Sequence, residues 1–315
     1  MNADLDLACH LNVVVPNVRL DALPAALGVI AETGYRRVVL PPLNPDEIDG
    51  GRLGATIAAA GLSPITIAVQ GPGADVSSND RDERARGLES LRRCVEMTRE
   101  LGGDQMNGVP YGPFGKYVSP PTFDERKWSA EGVGLAADYA HELGIMMTFE
   151  VLNRYETAMV NTAQQAIDFV QLSGSQHLRI HLDTFHMGVE ESSVDEAIRT
   201  ALPYLGFLEL GQSGRGPLES GVLDIPDIVR QALNDGYRGR WGVEAFSRDG
   251  LDPEVADALG IWRTTFDDAR TLAGRAQHTV WRGWSASAIG HQAARLKRKS
   301  DMSLSTADRF TQRKE

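Results

Sequence analysis

Three carboxylates in this chain belong to short apolar runs. Glu150 closes Ile145–Glu150, Asp183 closes Leu178–Asp183, and Glu244 lies in Arg240–Ala245. Apolar runs of this length read as buried strands, and a carboxylate at such an end stands where a parallel barrel opens. Carboxylate oxygens suit Mn2+, Mg2+ or Co2+ better than a thiolate-seeking metal. Beside such an ion the same groups can also take or give a proton. A single buried carboxylate is as well explained by a structural arginine. Three in one setting point to a shared centre. His181 lies two residues before Asp183, so on a strand the two side chains point the same way. His10, near the end of the first apolar run, is open either to the same pocket or to the core.

These groups need a scaffold that brings distant strand ends together. Strand-like runs fall at Leu5–Leu11, Arg37–Leu40, Ile65–Val69, Gln105–Val109, Ile145–Glu150, Leu178–Asp183, Leu205–Leu210 and Arg240–Ala245. Helical stretches fit after them at Leu20–Thr33, Gly51–Ala60, Asp80–Leu101, Glu125–Leu143, Thr162–Leu172, Val194–Ala201, Ile225–Asn234 and Pro253–Ala273. Strands alternating with helices are the pattern of a parallel α/β architecture. The expectation is a single (β/α)8 TIM barrel over residues 1–274. A doubly wound open sheet is the alternative, but Ala8-Cys9-His10-Leu11-Asn12 after the first strand holds no glycine-rich phosphate loop. From Arg275 to Glu315 the chain turns basic, most densely at Arg295-Leu296-Lys297-Arg298-Lys299, and reads as a C-terminal extension. It is either a solvated tail or a segment that docks on a neighbouring subunit.

With 315 residues and a net charge of −11, the chain lacks the basic face that nucleic acid or an anionic membrane would need. No apolar run approaches the roughly 20 residues of a membrane span. The acidic start, Met1 to Asp6, does not read as a signal peptide. Cys9 and Cys94 are too few for a disulfide framework, so the expected location is a reduced cytoplasm.

The runs Glu150-Val151-Leu152-Asn153-Arg154-Tyr155-Glu156, Asn161-Thr162-Ala163 and Leu182-Asp183-Thr184-Phe185-His186-Met187 resemble the ketose 3-epimerases. These form the tagatose/allulose 3-epimerase group of the xylose isomerase-like TIM barrel superfamily. The likeness is strongest between Glu150 and Glu244, weaker but collinear over Ser78–Gly103, and absent from the tail. It implies that Glu150 and Glu244 are metal ligands and the opposed acid/base pair, and that Asp183 is a further ligand. It places Glu156, His186 and Arg215 at substrate hydroxyl and carbonyl groups.

One position departs from that pattern. Where the family carries a metal-binding histidine in a His-x-Gly-Glu context, this chain reads Glu209-Leu210-Gly211-Gln212. The expected metal set becomes Glu150, Asp183, Glu209 and Glu244, with four negative charges around one divalent ion. Such crowding raises carboxylate pKa values and disfavours phosphorylated sugars. His181 and Gln212 are then candidates for the layer behind the ligands, His181 as a replacement ligand, as a partner of Glu209, or as a core histidine. The Tyr111–Lys116 loop is expected to form part of the substrate wall.

The reaction implied is proton transfer next to the carbonyl of a neutral ketose or keto-sugar through an enediolate, in a homo-oligomeric isomerase using Mn2+ foremost. The alternatives are a metal-dependent lyase or deglycosidase acting on an oxidised glycoside with a small partner subunit, and a metal-free binding protein on the same fold.

Overall fold

The computed structural model describes residues 5–19 and 21–297. Eight parallel strands close into a barrel in sequence order. They are β1 Leu7–His10, β2 Arg37–Val39, β3 Ser63–Gln70, β4 Gln105–Pro113, β5 Met146–Val151, β6 Arg179–Asp183, β7 Leu205–Leu210 and β8 Arg240–Val243. β8 closes on β1 through the pairs Ala8↔Gly242 and Cys9↔Val243. The connecting helices α1 Leu23–Glu32, α2 Gly50–Ala59, α3 Arg81–Glu100, α4 Phe123–Glu142 and α5 Ala163–Ser173 lie outside, followed by α6 Thr184–Glu190, α7 Val194–Ala201 and α8 Ile225–Asn234. The (β/α)8 barrel expected from the sequence is therefore the fold.

Period-two alternation explains how short apolar strands can also carry polar chemistry. Ala8, Val39, Ile65 and Phe207 meet inside the barrel. Phe149, Leu182, Leu208 and Val243 belong to the large core shared with the helices. Residues next to these outward positions, Glu150, His181, Asp183 and Glu209, must then face inward. Local signals set the helix ends. Thr122 and Glu125 form a reciprocal capping box at α4, and Asp80 caps α3 by accepting from Asp82 N.

The N-terminal mouth is closed by charge. Arg37 binds Asp6 and Asp104 at 2.8 and 2.6 Å, while Arg240 reaches Asp104 at 2.5 Å and Gln105 Oε1 at 2.8 Å. This belt lies at the stability end of the barrel, away from the strand ends that carry chemistry in such folds.

The helix expected over Pro253–Ala273 is instead two, α9 Pro253–Ala258 and α10 Ala269–Ala286. Gly260, at φ 67°, takes a left-handed conformation that ends α9, and Asp268 caps α10 by accepting from Thr271 N. α10 runs through the expected boundary at 274/275 and buries Ala276, Thr279, Val280 and Gly283, packing on α8. Residues 288–297 are also helical, with Arg295, Leu296 and Lys297 exposed; Arg298 and Lys299 of the basic run lie outside the described residues. Among the described residues no helix is long and apolar enough to cross a membrane.

Candidate active site

Glu150 is the last inward residue of β5, and beyond it the chain turns through Asn153. The Asn153 side chain donates to Glu156 Oε1 at 2.9 Å, and its backbone N–H donates to His186 Nδ1 at 3.2 Å. A backbone N–H can only donate, so Nδ1 accepts and His186 carries its hydrogen on Nε2. That Nε2 stands 3.4 Å from Glu150 Oε1 and 4.0 Å from Asp183 Oδ2. It is a buried donor with no other partner. His186 thus presents an N–H to the cavity, as a contact for a substrate oxygen requires.

Asp183 ends β6 and caps α6, its Oδ1 accepting from Phe185 N at 2.7 Å while Oδ2 is buried without a partner. Burial, and then the charges of Glu244, Glu209 and Glu150, hold its carboxyl well above the usual range. Glu209 lies on β7, opposite Asp183 in the register. Its Oε1 meets His10 Nε2 at 2.8 Å, and its Oε2 lies 3.2 Å from His181 Nε2 without the alignment of a hydrogen bond. Burial works to raise the Glu209 carboxyl, but the two histidines outweigh it and hold it below the carboxylate range. Burial likewise opposes a charge on His10, yet Glu209, Glu244 and Glu150 lift it to about 9.

Glu244, just past β8, pairs with Arg215 through Oε2, and Arg215 Nη1 also lies 3.5 Å from Glu156 Oε1. The Arg215 guanidinium is held between the Phe185 and Phe246 rings, 4.4 and 4.7 Å from their centroids. Burial raises the Glu244 carboxyl, and the opposing pull of Arg215 and His10 does not cancel it. At Glu150 the balance falls the other way: burial works to raise the carboxyl, but His181 and His186 outweigh it and hold it below its ordinary value. The two glutamates are thus displaced in opposite directions from their ordinary value.

The side chains present fit a divalent cation. Ligand atoms within 4.8 Å of one another occur in three overlapping groups: Glu150–Asp183–His186, Glu150–His181–Glu209 and His10–Glu209–Glu244. Asp183 Oδ2 and Glu209 Oε2 are buried oxygens without hydrogen-bond partners, which a cation would satisfy. This buried cluster of carboxylates and histidines indicates a divalent metal site.

Glu150, Glu156, His186, Arg215, Glu244 and His10 all line one cavity of about 840 Å3 at the C-terminal mouth. Asp183, Glu209 and His181 lie immediately beneath. Gln212 does not join them; its amide latches the β7–α8 loop, donating to Leu218 O and Leu223 O and accepting from Ser213 N and Leu223 N. Tyr111 is also turned away, fully buried with its hydroxyl donating to Glu150 O, and it is Pro113 and Phe114 of its loop that line the cavity. Sequence reasoning gave no role to Asn153, which sets the His186 tautomer, or to Phe185 and Phe246, which hold Arg215. Their roles depend on contacts between separate loops, which no local pattern encodes.

The family profile of the xylose isomerase-like TIM barrel matches residues 27–265. L-ribulose 3-epimerase of Mesorhizobium japonicum is 34% identical over 262 residues, covering 83% of this chain and 88% of that protein. Ketose 3-epimerase of Arthrobacter globiformis is 32% identical over 272 residues, 86% of this chain and 94% of that protein. The crystal structure of D-allulose 3-epimerase from Methylomonas sp. in complex with D-allulose superposes with a TM-score of 0.84 at 30% identity, covering 88% of this chain and 96% of that one. The chain belongs to the xylose isomerase-like TIM barrel family, on its ketose 3-epimerase branch, and is an enzyme of the isomerase class.

Proposed function

We propose that this protein is a divalent-metal-dependent epimerase that moves a proton next to the carbonyl of a neutral ketose or keto-sugar. The observation that carries the reading is the convergence of Glu150 and Glu244 on one cavity, beside Arg215 and His186 Nε2. The glutamates stand on β5 and just past β8, three strands apart around the ring. Inversion at carbon needs proton removal from one face and return to the other, so two separated carboxyl groups are required.

Glu150 and Glu244, on separate strands, are placed to take the proton and to return it. Arg215 and the His186 N–H offer donors where negative charge grows on the sugar oxygens. Glu150, Asp183, Glu209 and Glu244 would hold the ion, with His181 behind them. A bound divalent cation supplies Lewis-acid stabilisation of that oxygen charge. Oxygen-rich donors favour Mn2+, with Mg2+ or Co2+ as substitutes. The surplus of carboxylates favours a neutral sugar over a sugar phosphate.

Two buried free thiols suit a reduced cytoplasm. The exposed Phe123 at the start of α4, with Tyr155 and Trp262 on loops, suits contact with a second copy of the chain. The reading is tested by following deuterium uptake from D2O into free ketoses by NMR, with metal content measured on the same sample. Exchange that requires metal and disappears in Glu150→Gln supports it. Metal-loaded protein that exchanges no ketose or keto-sugar proton overturns it.

A further inference from the structure

His10, His181 and His186 border the acidic cluster but differ in which ring nitrogen is free. His186 accepts at Nδ1 from Asn153 N, so the Nε2 it turns toward Glu150 and Asp183 carries a hydrogen and has no lone pair to give. His181 lies beneath the cavity with both ring nitrogens buried and without a hydrogen bond, so no partner fixes its tautomer. His10 is placed differently. It stands on β1 and lines the cavity, which Glu209 does not, and its Nε2 meets Glu209 Oε1 at 2.8 Å. Glu209 is held in the carboxylate form, which can only accept, so Nε2 is a protonated nitrogen. The other nitrogen, Nδ1, stands 3.7 Å from Glu244 Oε1, beyond hydrogen-bond length.

A carboxylate that holds one ring nitrogen while the other faces oxygen donors is the usual support of a metal-bound imidazole. The bond orients the ring and makes the free nitrogen a better donor. His10, Glu209 and Glu244 each offer a ligand atom within 4.8 Å of the others. Two carboxylates and one imidazole can therefore share an ion. We infer that His10 is the nitrogen ligand of the bound cation, through Nδ1, and that Glu209 Oε1 fixes its ring. The inference rests on the metal-dependent reading above and adds a donor from β1 to the four carboxylates. Binding there displaces any proton on Nδ1, as at every histidine ligand. A nitrogen donor also favours Co2+ over Mg2+, which prefers oxygen.

The test uses full-length protein stripped of metal and reloaded with Mn2+, read by pulsed EPR, which detects nitrogen bound directly to the ion. The parent is expected to show such a nitrogen, identified as histidine by isotope labelling of that residue type. His10→Asn should abolish the signal, weaken Mn2+ binding by about tenfold or more and reduce the preference for Co2+ over Mg2+. His10→Gln takes its place if it fails to fold. His181→Asn and His186→Asn should keep the signal. A parent without bound nitrogen overturns the inference, and so does a signal that survives replacement of His10 or is lost equally in His181→Asn. Deuterium exchange into free ketoses is read separately. Exchange by a parent that shows no bound nitrogen sinks the ligand assignment alone. A bound His10 nitrogen without any exchange sinks the epimerase reading while the ligand stands.

Discussion

Glu209 Oε1 meets His10 Nε2 at 2.8 Å by reaching across β8, the strand that lies between β7 and β1. The crossing is possible because the β8 residue beneath it is Gly242, which pairs with Glu209 on one side and Ala8 on the other. A Cβ at position 242 would overlap Glu209 Oε1 and press on the Phe207 ring at 2.7 Å. Glu209 is thus matched by histidines on both sides and by an empty position under it.

Gly242→Ala should destabilise the fold by about 1–3 kcal/mol, the cost of overpacking a filled interior. Urea unfolding of the metal-free protein measures it, and a midpoint equal to that of the parent would contradict the crossing.

Removing Glu209 should cost more than crowding it. Glu209→Ala removes the buried carboxylate that His10 and His181 both face, a loss of up to about 3–5 kcal/mol for a broken buried pair. Glu209→His is expected to change the amount of bound divalent metal, read by elemental analysis. Unchanged metal content would place Glu209 outside the coordination sphere.

Glu150→Gln and Glu244→Gln should each lower deuterium exchange by about 10²–10⁴-fold, the usual contribution of a general acid or base. Circular dichroism should stay that of the parent. Near-parental exchange in both variants would refute the two-carboxylate mechanism.

Both thiols should be silent in the folded protein. Burial pushes Cys94 up to about 11 and, with Glu209 nearby, lifts Cys9 further. A thiol reagent at pH 8 is expected to label neither until denaturant is added, after which both react. Labelling of either in the native state would contradict the packing around it.

Deleting residues 275–315 should abolish folding, because it removes the larger part of α10 and takes Ala276 and Val280 from the core. A stable barrel after the deletion would show that α10 is dispensable.

Much of this was legible in the sequence, for physical reasons. Glu150, Asp183 and Glu244 could be found because each follows a run whose alternating neighbours pack outward, so one strand states its own burial pattern. The His181–Glu209 contact was among the readings of the sequence because both residues lie at inward positions of adjacent strands. Gln212 read as a residue behind the ligands because it stands where the resemblance puts a glutamate, but its amide serves the backbone of its own loop. The break at Gly260 was hidden because apolar residues on either side keep a helical spacing, and only the left-handed turn and the Asp268 cap separate them. The Arg215 clamp of Phe185 and Phe246 could not be seen at all, since it joins segments that follow three different strands.

The make-up of the cavity has a consequence for how such a protein can diversify. Its acidic cluster is anchored in strand residues that hold one another in place, so nearly every change there is penalised. Much of the surrounding rim is made of loop tips and one short helix outside that cluster. Those segments can be rewritten one at a time while the reaction persists, so that new substrates would be acquired by exchanging rims over a frozen engine.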